Sequence, residues 1–112
     1  MKMVKAIVRP EKVNEVLGAL SEAGYVSATR ISILGRGKQR GLKVGEVCYD
    51  EIPKEMFMMV VADEEVEKVE KIIMQVARTS KTGAFGDGKI FVLPTEDVIR
   101  IRTGEEGINA IM

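Results

Sequence analysis

The chain has 112 residues, with 17 Lys plus Arg balanced against 17 Asp plus Glu, no histidine and one cysteine. That length suits one domain that buries its own core, and the balanced charge supplies no overall field toward nucleic acid or an acidic membrane. Cys48 by itself excludes an internal disulfide framework and fits a reducing compartment, while the lack of histidine removes most zinc and imidazole-base chemistry.

Residues 3–8 alternate loosely, with Val4, Ala6 and Val8 on one face and Lys5 on the other, as in a half-buried strand. Arg9-Pro10 ends it. Pro10 suits the first turn of a helix, Glu11 complements its positive end, and Val13, Val16, Leu17 and Leu20 recur on one helical face before Gly24, a natural C-terminal cap. From Tyr25 the period becomes two, with Val26, Ala28, Ile31 and Ile33, which predicts a second strand running into Gly35. Residues 35–52 mix glycines with both charge signs and hold no sustained period, so a long loop is expected there.

Residues 54–62 read as a buried third strand, and Asp63 as an N-cap followed by Glu64 and Glu65 in the first turn of a second helix. Val66, Val69, Ile72, Ile73 and Val76 face inward on that helix, and Glu64 with Lys68 and Glu67 with Lys71 sit in the favourable i,i+4 orientation. The helix ends near Arg78. A second loop at 79–88 leads to a fourth strand at 89–93, and residues 97–103 alternate apolar and basic side chains like a short edge strand.

The resulting order, β-α-β-β-α-β, is that of an α+β, ferredoxin-like sandwich with a C-terminal β extension, built as one domain over 1–112. Both helices cover one sheet face, so the other would expose Val, Ile and Met, and self-association is expected. The apolar start is too short for a secretory signal and no stretch reaches bilayer-spanning length, which predicts a cytoplasmic protein without membrane insertion and without nucleic acid as a partner.

Three segments carry candidate chemistry. Gly83 to Lys89 has the G-x-x-x-x-G-K spacing of a phosphate loop, but Ile90 stands where a metal-binding hydroxyl is needed and a strand follows instead of a helix. It is not a Walker loop, though its glycine amides and Lys89 still suit an anion. Gly35-Arg36-Gly37-Lys38-Gln39-Arg40-Gly41 superficially resembles a dinucleotide fingerprint, but no helix pattern follows. It reads either as a solvated hairpin loop or as basic backbone able to approach an anion closely. Arg100 and Arg102 share one face of the last segment, as edge protection or as a two-guanidinium clamp for polyphosphate. Met56, Met58 and Met59 read as core filling, Cys48 and Tyr49 as an unremarkable exposed pair, and no carboxylate pair suggests acid–base catalysis.

Over nearly its whole length the sequence resembles the PII signal-transduction family. The resemblance is carried by KAIVRPEKVNEVLGALSEAGY, by GRGKQRG, by IPK at 52–54, by VIRIRTGEEG, and above all by Thr82, Gly86, Asp87, Gly88, Lys89, Ile90 and Phe91. It implies a non-enzymatic homotrimer with ATP or ADP sites between subunits, a T-loop at about 36–52, a B-loop at about 79–88 and a C-terminal segment at 96–112. By position, Gly35, Gly37, Lys38 and Gln39 would face the nucleotide, with Thr29 and Val60 nearby. Gly86, Asp87, Gly88 and Lys89 would join them, with Arg100 and Arg102 reaching in from the neighbouring subunit. Gln39 would hold Mg²⁺ with the phosphates, and Gln39, Arg40, Gly41 and Lys54 would take 2-oxoglutarate. Lys38 stands where an Arg is common, and Met58 where many members place an acidic residue near the adenine. The short T-loop is most similar to the nitrogenase-associated branch, which implies nitrogenase and a paralogous PII protein as partners. The alternatives are a general regulator of an ammonium transporter or glutamine synthetase and, from another class, a small nucleotide-hydrolysing enzyme.

Overall fold

The computed structural model describes residues 1–36, 43–44, 47–48 and 51–111, with backbone only at 43–44 and 47–48. Strands β1 (Lys2–Val8), β2 (Thr29–Gly35), β5 (Ile52–Val61) and β6 (Gly88–Pro94) form an antiparallel sheet in the order β2-β5-β1-β6. A second small ladder joins β3 (Lys43–Val44) to β4 (Val47–Cys48), within the span expected to be irregular. Helices α1 (Val13–Glu22) and α2 (Val66–Ala77) each follow a 3-10 turn, and a short α3 spans Ile108–Ile111. This is the ferredoxin-like α+β arrangement that the element order implies.

The core forms where the period-two and helical patterns meet. Val4, Ala6 and Val8 of β1 alternate inward beside Phe57, Met59 and Val61 of β5, and Val13, Val16, Leu20, Val69 and Ile73 of the helices close over them. Full burial of each such aliphatic or aromatic side chain stabilises by roughly 1.5–3 kcal/mol. Leu17, Val66, Ile72 and Val76 pack at the margin of the same cluster.

The cross-strand register puts Met3, Lys5 and Ile7 on the opposite face, beside Met56, Met58, Val60, Ile31, Phe91 and Leu93. Ile31, Phe91 and Leu93 are exposed there, which is the uncovered face expected from the topology.

Three local expectations change. The chain at 25–28 is not yet strand: Gly24 takes φ +100 and the Tyr25 amide donates to the Leu20 carbonyl at 2.8 Å, closing α1 before β2 begins. Asp63 is not a side-chain cap, because its carboxylate lies 2.9 Å from the Met1 ammonium and a 3-10 turn starts the helix instead. Around α2, Lys71 pairs with Glu67 at 3.9 Å as expected, whereas Lys68 lies over the Tyr25 ring. The tyrosine's hydroxyl donates to Glu65.

Residues 97–103 do not form an edge strand. Ile99 makes a single bridge with Glu106, and 101–103 is a turn. Alternation is rewarded only where a sheet buries one face, and Ile101 is 100% exposed, with no core to face. Gly104 and Gly107, both at positive φ, fold the segment back on itself.

Candidate functional site

Asp87 organises the loop between α2 and β6. Its carboxylate accepts from the Ala84 amide at 2.8 Å and the Thr79 amide at 3.3 Å, and from Arg9 Nε at 3.1 Å. Arg9 also donates from Nη2 to the Phe85 carbonyl at 2.8 Å, so one guanidinium fastens two points of the loop to the end of β1. Burial by itself would raise the Asp87 carboxyl, but the Ala84 amide, Arg9 and the Thr79 amide outweigh it and hold the group at about 2. Asp87 is therefore ionised and internally engaged, as a fastener of the loop.

Gly88 begins β6 where the backbones of two strands meet. At φ +112 its backbone disfavours any side chain, and a Cβ there would lie 1.7 Å from the Ile7 carbonyl oxygen. Gly86, at φ +96, turns its carbonyl toward Lys54, whose Nζ donates to it at 2.5 Å. Lys54 is 8% exposed. Burial lowers its pKa, the nearby charge of Arg9 adds to that, and Glu11 and Asp87 partly oppose it. An ammonium kept from water in this way gains from any anion that reaches it.

These residues line a cleft of about 470 Å³ that brings Gly35, Lys54, Gly86, Gly88 and Lys89 together, with Phe85 and Phe91 as apolar walls. Gly35 is fitted closely: a Cβ on it would stand 3.1 Å from Lys54 Cγ. Glycine backbone, two lysines and a dry wall make a site suited to a small anion or a phosphate group.

A second pocket, about 590 Å³, lies at the other end of the sheet and collects Thr29, Met58, Val60 and Arg100. Arg100 donates to Glu105 Oε1 at 2.8 Å and to the carbonyls of Asn109 and Ala110 at 3.2 and 3.4 Å. Arg102 is exposed in the 101–103 turn. Met3 lines this pocket and Ile7 the other. The two lie four positions apart, or roughly 13 Å along β1.

Of the nucleotide set, then, one chain assembles Gly35, Gly86, Gly88 and Lys89 in one place and Thr29, Val60 and Arg100 in another, with Asp87 behind the first. Lys54 joins the first group. Gly37, Lys38, Gln39, Arg40 and Gly41 lie outside the described residues, as does Tyr49. Among the described residues no group of three or more His, Cys, Asp or Glu could hold a metal ion. No described helix is long and apolar enough to cross a membrane. Arg9 is the functional-loop residue that sequence reading missed. The local signal was an arginine at the exit of β1 ahead of Pro10, but its partners lie 76 and 78 positions away.

Residues 1–105 match the family model described as nitrogen regulatory protein P-II. The chain is 53% identical over 108 residues to "Nitrogen fixation nifHD region GlnB-like protein 1" of Methanothermococcus thermolithotrophicus, covering 96% of this chain and 100% of that one. It is 55% identical, with the same coverage, to "Nitrogen fixation nifHD2 region GlnB-like protein 1" of Methanosarcina barkeri. A solved structure, Arabidopsis thaliana PII bound to citrate, is similar with TM-score 0.80 and 39% identity, over 98% of this chain and 88% of that chain.

Proposed function

The chain belongs to the nitrogen regulatory P-II family, and from that premise we propose that it is a cytoplasmic homotrimer that senses ATP/ADP and 2-oxoglutarate and regulates nitrogenase directly through its loop at 36–52. A paralogous P-II protein is proposed as its working partner. Proteins of this family signal and are not enzymes, so the site has to bind and release its ligands unchanged.

The observation that carries this reading is the division of the candidate residues. Lys89 and the Gly86–Gly88 backbone suit phosphate at one end of the sheet, while Arg100 and an apolar pocket sit at the other. Among the described residues neither half is complete for a nucleoside polyphosphate, and the uncovered sheet face offers a surface on which copies can associate. Association that sets one copy's Lys89 against the next copy's Arg100 would unite phosphate and base halves. Gln39 would then hold Mg²⁺ with the phosphates, and the bound metal would supply positive charge for a second anion. Lys54, dehydrated in the cleft beside Gly86, is suited to a 2-oxoglutarate carboxylate, with Gln39, Arg40 and Gly41 supplying the remaining contacts.

Names of relatives favour nitrogen fixation as the setting, since those quoted are nifHD-region proteins. A nucleotide-hydrolysing enzyme is disfavoured because the residues after Lys89 are strand, with no helix N-terminus aimed at a phosphate.

Calorimetric titration with 2-oxoglutarate, with and without MgATP, tests the sensor. Binding that requires MgATP and is lost in Lys54→Met is expected. Binding of 2-oxoglutarate independent of both overturns the assignment. Pull-downs with and without 2-oxoglutarate test the target: nitrogenase is expected without the effector and released with it. Recovery of only an ammonium transporter or glutamine synthetase overturns the nitrogenase claim.

A further inference from the structure

Lys5 stands on the uncovered sheet face midway between the two half-sites. Met3 lines the Arg100 pocket and Ile7 the Lys54 cleft, and Lys5 lies two positions from each along β1, roughly 7 Å. Its cross-strand neighbours are Met58 on β5 and Phe91 on β6. The register puts Lys54 and Lys89 on the same face, and no Asp or Glu among the described strand residues there. Lys54 already donates to the Gly86 carbonyl and Lys89 borders the cleft, whereas no described carboxylate forms an ion pair with Lys5.

Both half-sites open on this face, so uniting them between copies turns the face of each copy toward its neighbours. In a closed ring a copy offers one half-site to one neighbour and the other half-site to the other. The strand centre between them then faces the axis, and symmetry gathers one Lys5 from each copy around it. Enclosed among methionine and aromatic side chains, like charges without carboxylate partners repel, and an uncompensated buried charge opposes assembly.

We propose that the assembled protein holds a small multivalent oxyanion, of the sulfate or phosphate class, on its symmetry axis, bound by the Lys5 ammonium of every copy. The proposal rests on the homotrimer reading and adds a site apart from the nucleotide and 2-oxoglutarate positions. Each ammonium is a compact charge with rotatable donors, and a tetrahedral dianion presents oxygens in several directions at once, so one anion satisfies the whole ring. Because a single chain offers it only one lysine, the anion binds the oligomer in preference to the monomer and stabilises assembly by mass action.

Sedimentation and thermal melting of the full-length, nucleotide-free protein in sodium sulfate and in sodium chloride at matched ionic strength test this. Millimolar sulfate should raise the melting midpoint of the wild-type oligomer by a few degrees over chloride and lower severalfold the protein concentration at which it dissociates. Lys5→Met removes the charge at similar length, so it should assemble in chloride at least as tightly as the wild type and lose the sulfate response. Lys5→Arg should keep the response, and so should Lys89→Ala, which separates the axial site from the cleft. A wild type that melts alike in both salts overturns the proposal. An equal sulfate shift in Lys5→Met also overturns it, since general exclusion of sulfate from protein surface would give that result. Loss of the shift in Lys89→Ala would put the anion at the cleft, and weaker assembly of Lys5→Met in chloride would mean that a protein acceptor already meets the ammonium; either overturns the axial site. A monomer in every condition overturns the homotrimer reading and this site with it.

Discussion

The loop around Asp87 and the segment around Arg100 are both anion-site candidates, yet they are built in opposite ways. The first is held by contacts that span most of the chain: Arg9 reaches Asp87 and Phe85, Lys54 reaches Gly86, and Gly88 fits against the Ile7 carbonyl. The second holds itself, since Arg100 pairs with Glu105 five positions on and with the last carbonyls of the C-terminal turn. One half is a fixed cradle, organised before any ligand arrives. The other is a local arrangement in which any anion would have to compete with an internal carboxylate.

The contrast can be broken most severely at Gly88. Gly88→Ala forces a Cβ into a carbonyl oxygen at a positive φ, and is expected to cost about 4 kcal/mol or more in urea unfolding, or to prevent folding. Arg9→Ala leaves Asp87 without its guanidinium in a largely buried setting, with an expected loss of about 2 kcal/mol. Arg100→Ala should move stability by less than about 1 kcal/mol, because its ion pair is local and solvated, while weakening ATP by roughly tenfold or more. Unchanged ATP affinity there would discredit its role at the phosphates.

Asp87 adds a pH signature confined to the fixed cradle. Its folded pKa, about 2, lies below the ordinary value of 3.8, so the folded protein binds fewer protons than the unfolded chain between those values. The stability it contributes is present above pH 3.8 and is lost as pH falls through about 2. Urea midpoints measured across that window should fall more steeply for the wild type than for Asp87→Asn. The smallest effect is expected at Glu105→Gln. Removing the internal competitor should tighten ATP by about two- to threefold with little change in stability.

The same contrast explains what the sequence could and could not show. Periodicity placed β1, α1 and α2 because each buries a regular stripe, and Val13, Val16, Leu20, Val69 and Ile73 are inside as expected, whereas β6 was legible from its β-branched and aromatic run ahead of Pro94, although Phe91, Val92 and Leu93 stay exposed. Apolar–basic alternation at 97–103 had the look of a strand, but no sheet lies beneath it to reward the pattern. Asp63 had the composition of a cap and found an ammonium instead. Glycine spacing and Lys89 marked the cradle correctly as a loop entering a strand. The residue that holds it, Arg9, was silent, because a side chain's partner 78 positions away leaves no local trace. Asp87 was legible as important and not as a fastener, since its role depends on amides that only the folded loop presents.

The central claim is that the two halves are united between copies of the chain, and subunit complementation tests it most directly. Lys89→Ala disables the cradle half and Arg100→Ala the other, so each protein purified separately should bind ATP poorly. Co-assembled in equal amounts, and confirmed as mixed oligomers by differential tagging, they should regain wild-type affinity at about a quarter of the sites, where an intact half meets an intact half. Mixed oligomers that recover no such site would contradict a nucleotide site shared between subunits.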